Sequence, residues 1–316
     1  SGDNIFVGRA VAQNTGTPCA NIVMGMEAGY NMGSACHNIA LGTQAGCNIS
    51  SGDKNVFIGY QSAGKCAVTG DENIAIGRNA AQRLTSGKYN IFFGRYAAGG
   101  VDFTGHNNII MGRSAMFCAS AGNTVSIGTR AGGNVVGSSD NVFIGYYANI
   151  GDTGTSATPN NSVIIGAYAG RCNCGNGNTY VGNNAGCKGL NSGYNAVVGQ
   201  NAAKNFCSAC QNAIFGYAAG ESTICGRYNA FFGSLAGCNV TNGRYNVAIG
   251  PRVTVPNATD CYQLAIGAVN EFVAKDHLWI VGNNNFNVGI GTTNPAPAVG
   301  VGNTAKLSVG IVSAYQ

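Results

Sequence analysis

Charge is scarce in this chain: only 9% of its 316 residues are Asp, Glu, Lys or Arg. Its 12 acidic residues are dispersed and nominate no carboxylate pair for general acid–base work. The 3 histidines, His37, His106 and His277, lie far apart, with no zinc-protease helix and no nucleophile-elbow motif around them. No catalytic apparatus is visible and no cofactor is implied, so an enzyme is not expected. The 17 Lys and Arg form no run and leave a net charge of +5, too mild for a nucleic-acid partner. With 6 prolines and no glycine period of three, a Pro-rich linker and a collagen helix are both excluded. No stretch approaches the roughly 20 apolar residues of a membrane-spanning helix, so membrane insertion is not expected. Neither a signal peptide nor a Met opens the sequence, and Ser1 reads as a processed or truncated end.

What the chain has instead is glycine, 50 residues of it, and a repeated phrase. NVFIGYQSAG (Asn55 to Gly64), NVFIGYYAN (Asn141 to Asn149) and NAIFGYAAG (Asn212 to Gly220) are near copies. Aligned on its glycine, the phrase recurs at Gly8, Gly25, Gly42, Gly59, Gly77, Gly94, Gly112, Gly128, Gly145, Gly166, Gly182, Gly199, Gly216, Gly233, Gly250 and Gly267. The mean period is about 17 residues, close to the range that marks stacked-repeat architectures. The residue before the glycine is always apolar, and so, nearly always, is the one two places earlier. That pair shares one face of a short strand and is expected to fill an interior. The position between them is also mostly apolar (Phe6, Val23, Phe57, Phe92, Ile110, Phe143, Ile164, Phe231) and must face the other way. One face would close the core of the coil; the other is expected to meet neighbouring chains around an axis.

Four residues before the glycine stands Asn4, Asn21, Asn38, Asn55, Asn73, Asn90, Asn108, Asn141, Asn178, Asn195, Asn212, Asn229 or Asn246, with Thr124, Ser162 and Gln263 in the remaining repeats. Stacked at roughly 4.8 Å, such side chains can pass amide hydrogen bonds from coil to coil. Ala three places after the glycine suits the inner side of a second, narrow-cornered strand. Each unit therefore reads as one coil of two short strands and two turns. The expected fold is all-β: a β-solenoid or β-roll of about 16 coils over residues 1–267, followed by a closing segment of short β structure and trimer junction over 268–316.

All 13 cysteines lie five to eleven residues past a phrase glycine, in the loop half of the repeat. Cys19 and Cys36 share a phase on adjacent coils, where Cα atoms near 5 Å apart permit a disulfide. The same reasoning pairs Cys172 with Cys187, Cys207 with Cys225 and, less closely in phase, Cys47 with Cys66. Cys118 has no phase neighbour and is the candidate free thiol, the total being odd. Two alternatives stand beside these staples: buried thiols in a reducing compartment, and a metal site on Cys172/Cys174 and Cys207/Cys210, which lack the two-pair zinc spacing. A P-loop nearly matches at Gly59 to Lys65, but Cys66 follows instead of Ser or Thr and its glycines are in register with the repeat. Just after the phrase glycine, Arg78, Arg95 and Arg113 share a phase with Tyr60, Tyr146 and Tyr217. This is either a receptor stripe for sugars or anions or a solvated flank. The loops at 151–161 and 253–261 are further candidates for recognition.

The phrases GYQSAG, NIAIGRNAA and NVAIG, the turn TSGKYN (Thr85 to Asn90), and the tail LWIVGNNNFNVGIGTTNP (Leu278 to Pro295) with AKLSVGIVSA (Ala305 to Ala314) resemble repeats in tail-fibre and other virion proteins of tailed phages, especially those of marine cyanobacteria. The NxxIG core is also similar to the head repeats of bacterial trimeric autotransporter adhesins. The resemblance implies a homotrimer on a virion surface or otherwise outside a cell, forming a rigid shaft involved in host attachment. Other fibre proteins would meet its ends, and a host surface glycan or protein would be the receptor. The alternative it leaves open is a bacterial adhesin head or extracellular filament subunit.

Overall fold

The structure is a computed structural model that describes residues 2–151, 159–269, 276–285, 287–291 and 307–309. Most of the 151–161 loop and most of the segment after Val269 lie outside the described residues. The chain divides into two compact units, residues 1–167 and 168–316. That division falls inside the repeat array, beside its longest interval (Gly145 to Gly166), instead of near residue 267. Both units are β-solenoid with the 17-residue repeat, about 15 turns in all, and no helix occurs among the described residues.

In the first unit the strands are β1 (Ile5–Val7), β2 (Ile22–Met24), β3 (Ile39–Leu41), β4 (Val56–Ile58), β5 (Ile74–Ile76), β6 (Ile91–Phe93), β7 (Ile109–Met111), β8 (Ser120–Gly122), β9 (Val125–Ile127), β10 (Val136–Ser139), β11 (Val142–Ile144) and β12 (Val163–Ile165). All but β8 and β10 are the phrase strand, each parallel to the next with like positions opposed, as in Ile22↔Ile39, Val23↔Ala40 and Met24↔Leu41. β8 and β10 pair with each other in a separate parallel ladder. The second unit holds β13 (Thr179–Val181), β14 (Ala196–Val198), β15 (Ala213–Phe215), β16 (Ala230–Phe232), β17 (Val247–Ile249), β18 (Leu264–Val269), β19 (Asp276–Gly282), β20 (Val288–Ile290) and β21 (Leu307–Val309). Parallel stacking runs from β13 to β18; β19 then turns back antiparallel to β18, and β20 antiparallel to β19.

The strand parity is the reverse of the expectation. From β2 onward the middle residue of each phrase strand is buried and the flanking pair faces outward: Val23 is fully buried between Ile22 and Met24, and Phe92 between Ile91 and Phe93, while in the terminal β1 Phe6 is exposed. The cause lies two residues upstream. The ladder Asn points inward, and in an extended strand every second residue shares its face, so the middle position must follow it into the core. Large side chains at this position, Phe57, Phe92, Phe143, Tyr180 and Phe231, are fully buried, and Phe92 meets Phe103 from the far wall edge-on, centroids 5.1 Å apart. Each such phenylalanine ring adds about 2–3 kcal/mol by leaving water.

Among the described residues a second strand per coil also does not form, apart from the β8/β10 pair and isolated bridges such as Ile49↔Val68 and Leu84↔Phe103. The half-coil after the glycine alternates left-handed residues, for example Gln44 (φ 56) and Gly46 (φ 53), which an extended strand cannot contain. Its amides still pair between coils: Gln44 N–H donates to Met26 O at 2.9 Å and Gly46 N–H to Ser62 O at 2.8 Å. The alanines three places past the glycine, such as Ala45, Ala97 and Ala219, are fully buried along this wall. The phrase glycine itself ends the strand in a conformation only glycine holds easily. Gly77 has φ 132, and a Cβ there would sit 2.8 Å from the Gly94 carbonyl of the next coil.

Candidate functional site

The Asn column is built into the interior and fully used. In the first unit the Asn21 main-chain N–H and Nδ2 both donate to Asn4 Oδ1 at 3.0 Å, and Nδ2 also donates to Ala35 O at 2.9 Å. The same triple contact recurs at Asn38, Asn55, Asn73, Asn90 and Asn108. Thr124 keeps only the main-chain link to Asn108 Oδ1, while Asn141 donates to Pro159 O and accepts from Ser162 N–H. In the second unit Asn178, Asn195, Asn212, Asn229 and Asn246 form a like column that ends when Gln263 N–H donates to Asn246 Oδ1. Apart from the half-buried Asn4, the asparagines of these columns are at most 2% exposed, and their amides hold coil to coil.

One disulfide is present among the described residues, Cys19 to Cys36, with Cα atoms 4.6 Å apart and backbones bridged as stacked neighbours. Cys47 and Cys66 carry no bond to each other. The extra residue in the coil after Gly59 carries Cys66 away, and its sulfur sits 3.6 Å from Asp102 Oδ1. Cys207 and Cys225 are likewise thiols: the Cys207 amide donates to Ile224 O, one place before Cys225, so the two sulfurs are out of step. Cys172 stands six places past its glycine and Cys187 five, and Gly170 N–H donating to Ala185 O fixes that one-residue offset. Cys118 is a thiol. Burial pushes the thiols of Cys47, Cys66, Cys174 and Cys238 upward, which keeps them protonated and poor as nucleophiles or metal ligands. No three His, Cys, Asp or Glu side chains converge on a metal-sized point among the described residues.

Arg78, Arg95, Arg113 and Tyr60 follow their glycines on consecutive coils of the first unit, which also holds Tyr146; Tyr217 belongs to the second unit. The guanidinium of Arg78 lies 5.7 Å from the Tyr60 ring centre and that of Arg95 lies 5.2 Å from the Tyr96 ring, while Tyr146 packs on Tyr147 at 4.3 Å. Arg78, Tyr60, Arg95 and Tyr146 thus contact neighbouring side chains of their own chain.

The strand parity also creates a surface feature. On the first unit the outward pair of every phrase strand is apolar, from Ile5 and Val7 through Ile22 and Met24 to Val163 and Ile165, with no charged residue in either column. Ile5, Val7 and Phe93 are at least half exposed, and Ile22, Met24, Ile74, Ile91, Ile109 and Met111 exceed a third. Ten strands of roughly 10 Å at steps of roughly 4.8 Å outline a flat apolar face on the order of 400 Å². That is the size of the largest apolar patch on a typical folded monomer, and such patches often serve as contact surfaces. The fold and this face stand without a known relative to interpret them: no protein-family model, no curated protein and no solved structure matches the chain.

Proposed function

We propose that this chain is a mechanical element, a stiff β-solenoid shaft of an extracellular appendage such as a phage tail fibre, self-associated through the apolar sheet face of residues 1–167. The observation that carries the proposal is that face: twenty outward positions on ten strands, all apolar, on a surface where a neighbouring copy is the simplest cover. The threefold number comes from the repeat resemblance; the face itself calls for association. A disulfide between adjacent coils fits an oxidising, extracellular location. The amide columns and the absence of long loops within most coils suit a part whose task is to stay rigid while its ends meet other fibre proteins and its flanks a host glycan or protein.

Sedimentation equilibrium on the full chain tests this. The expected mass is three times 32.1 kDa. The triple variant Ile22→Lys/Ile74→Lys/Ile109→Lys, which changes only outward positions, is expected to sediment as a single chain with its β circular dichroism intact. A wild-type chain that stays single at micromolar concentration, or a triple variant that stays assembled, overturns the proposal.

A further inference from the structure

In the second unit the outward row is chemically different. Tyr228 holds a left-handed turn position (φ 58) just ahead of the strand in which Ala230 and Phe232 flank the buried Phe231, and the next coil repeats the order as Tyr245 (φ 58), Val247 and Ile249. The rings of Tyr228, Tyr245 and Tyr262 stack in one column, centroids 4.7 and 4.8 Å apart and planes within 5°. All three are exposed. One place earlier in each coil stand Arg227 and Arg244, bridged backbone to backbone and exposed. Among the described residues neither guanidinium has a carboxylate within ion-pairing distance or an aromatic ring beneath it. The first unit fills the same two columns differently. There Lys88 pairs with Asp71 at 2.7 Å and Lys54 with Glu72 at 3.6 Å.

The result is a ladder of two free cations and three phenols repeating at the coil spacing on a rigid sheet. Stacked rings cover one another's faces, so the column offers edges and hydroxyls: hydrogen bonds to a ligand instead of platforms for nucleobases. Beside the tyrosines stand the half-buried Ala230, Val247 and Leu264. We propose that this ladder binds a linear acidic polysaccharide laid along the coils, its acidic groups on Arg227 and Arg244 and its ring hydroxyls on Tyr228, Tyr245 and Tyr262. An extended pyranose chain advances by about one coil step per sugar, so each residue of such a polymer meets the same pair of side chains. A scaffold already ordered loses little freedom on binding, and repetition multiplies weak contacts. The site stands on the second unit alone and does not depend on the shaft proposal. Nor does it restate the Arg78, Arg95 and Arg113 column, where Arg78 and Arg95 rest on tyrosine rings of their own chain.

Isothermal titration of the full chain tests it with three probes: linear uronate and sulfated oligosaccharides, neutral cello-oligosaccharides of equal length, and a single-stranded oligonucleotide. Acidic oligosaccharide is expected to bind, more weakly as salt rises, and the neutral one not to bind. Arg227→Gln/Arg244→Gln should weaken binding about tenfold for each guanidinium lost. Tyr245→Phe, which keeps the stack and removes one hydroxyl, should weaken it several-fold, and Arg78→Gln should change nothing. Failure of every acidic oligosaccharide to bind overturns the proposal. So does binding that survives the double substitution, that Arg78→Gln abolishes, or that favours the oligonucleotide. Should the double variant shift the thermal midpoint, Tyr245→Phe decides instead, and wild-type affinity in that variant overturns the proposal.

Discussion

The two units share an interior and differ in what they show to water. Inside, both run an amide column beside a column of buried apolar side chains, Phe57 and Phe92 in one, Val197 and Phe231 in the other. Outside, the first unit presents Ile and Val beside paired charges, and the second presents Ala, stacked Tyr and unpaired Arg. Interior columns are held to one chemistry because a side chain there must fit its neighbours one coil away and satisfy buried backbone. Outward positions carry no such constraint, so they record what each unit meets.

The largest test asks whether the interiors are equivalent. Asn73→Ala removes an amide that donates to Asn55 Oδ1 (3.0 Å) and Gly87 O (2.8 Å) and accepts from the Asn90 main chain (3.1 Å). It leaves Gly87 O and the Asn90 main-chain N–H buried without these partners, while Asn55 Oδ1 keeps the main-chain N–H of residue 73, for a loss on the order of 4 kcal/mol in chemical denaturation. Asn229→Ala breaks the same links to Asn212 and Gly243 at 3.0 Å and should cost as much. A clearly smaller loss at Asn229 would falsify the shared-interior account.

Next is the corner column that the first unit staples and the second does not. Cys36→Ser opens the 17-residue link to Cys19 and should cost about 3 kcal/mol, the chain-entropy value for a loop of that size. Hydrogen exchange should show faster opening of the coils of β1 to β3 and no change in β14 to β17, where Arg227 and Arg244 occupy that column. Equal loosening in both units would mean that the corner is not a local device.

Much of this was legible from residue spacing. The period, the strand at each phrase and the amide column follow from positions of Gly and Asn, and the Cys19 to Cys36 pairing from equal phase. The inward face could also have been read: Asn73 and Ala75 have the same parity, which sends Ile74 and Ile76 outward. The turn-like half-coil was hidden, because its left-handed positions are held by Glu27, Gln61, Tyr96 and Ala98, residues that advertise no such conformation. The other three cysteine pairs are out of phase by one or two residues, and Cys47, Cys66, Cys207 and Cys225 stand as thiols, so small offsets decide whether sulfurs meet. The tyrosine ladder had a visible signal, Tyr at 228, 245 and 262 before each ladder amide, yet it is out of phase with the Arg and Tyr stripe after the glycine.

The smallest effect concerns the paired corner of the first unit. The hydrogen bond from the Lys88 ammonium holds the Asp71 carboxyl below its usual range, and Asp71 in turn raises Lys88. A lowered carboxyl stabilises the fold above its ordinary value of 3.8 and loses that contribution as pH falls through the folded value. A raised ammonium contributes below its ordinary 10.5 and loses its share as pH rises through the folded value. Lys88→Gln should therefore lower the thermal midpoint slightly between those limits, with the gap closing in acid, in strong base and in high salt, because both groups face solvent. Arg227→Gln in the second unit, where no carboxylate answers the cation, should leave the midpoint unchanged across the same pH range. If Arg227→Gln instead traces the curve of Lys88→Gln, Arg227 has an acidic partner, and the ladder has lost the free cation that would hold an acidic sugar.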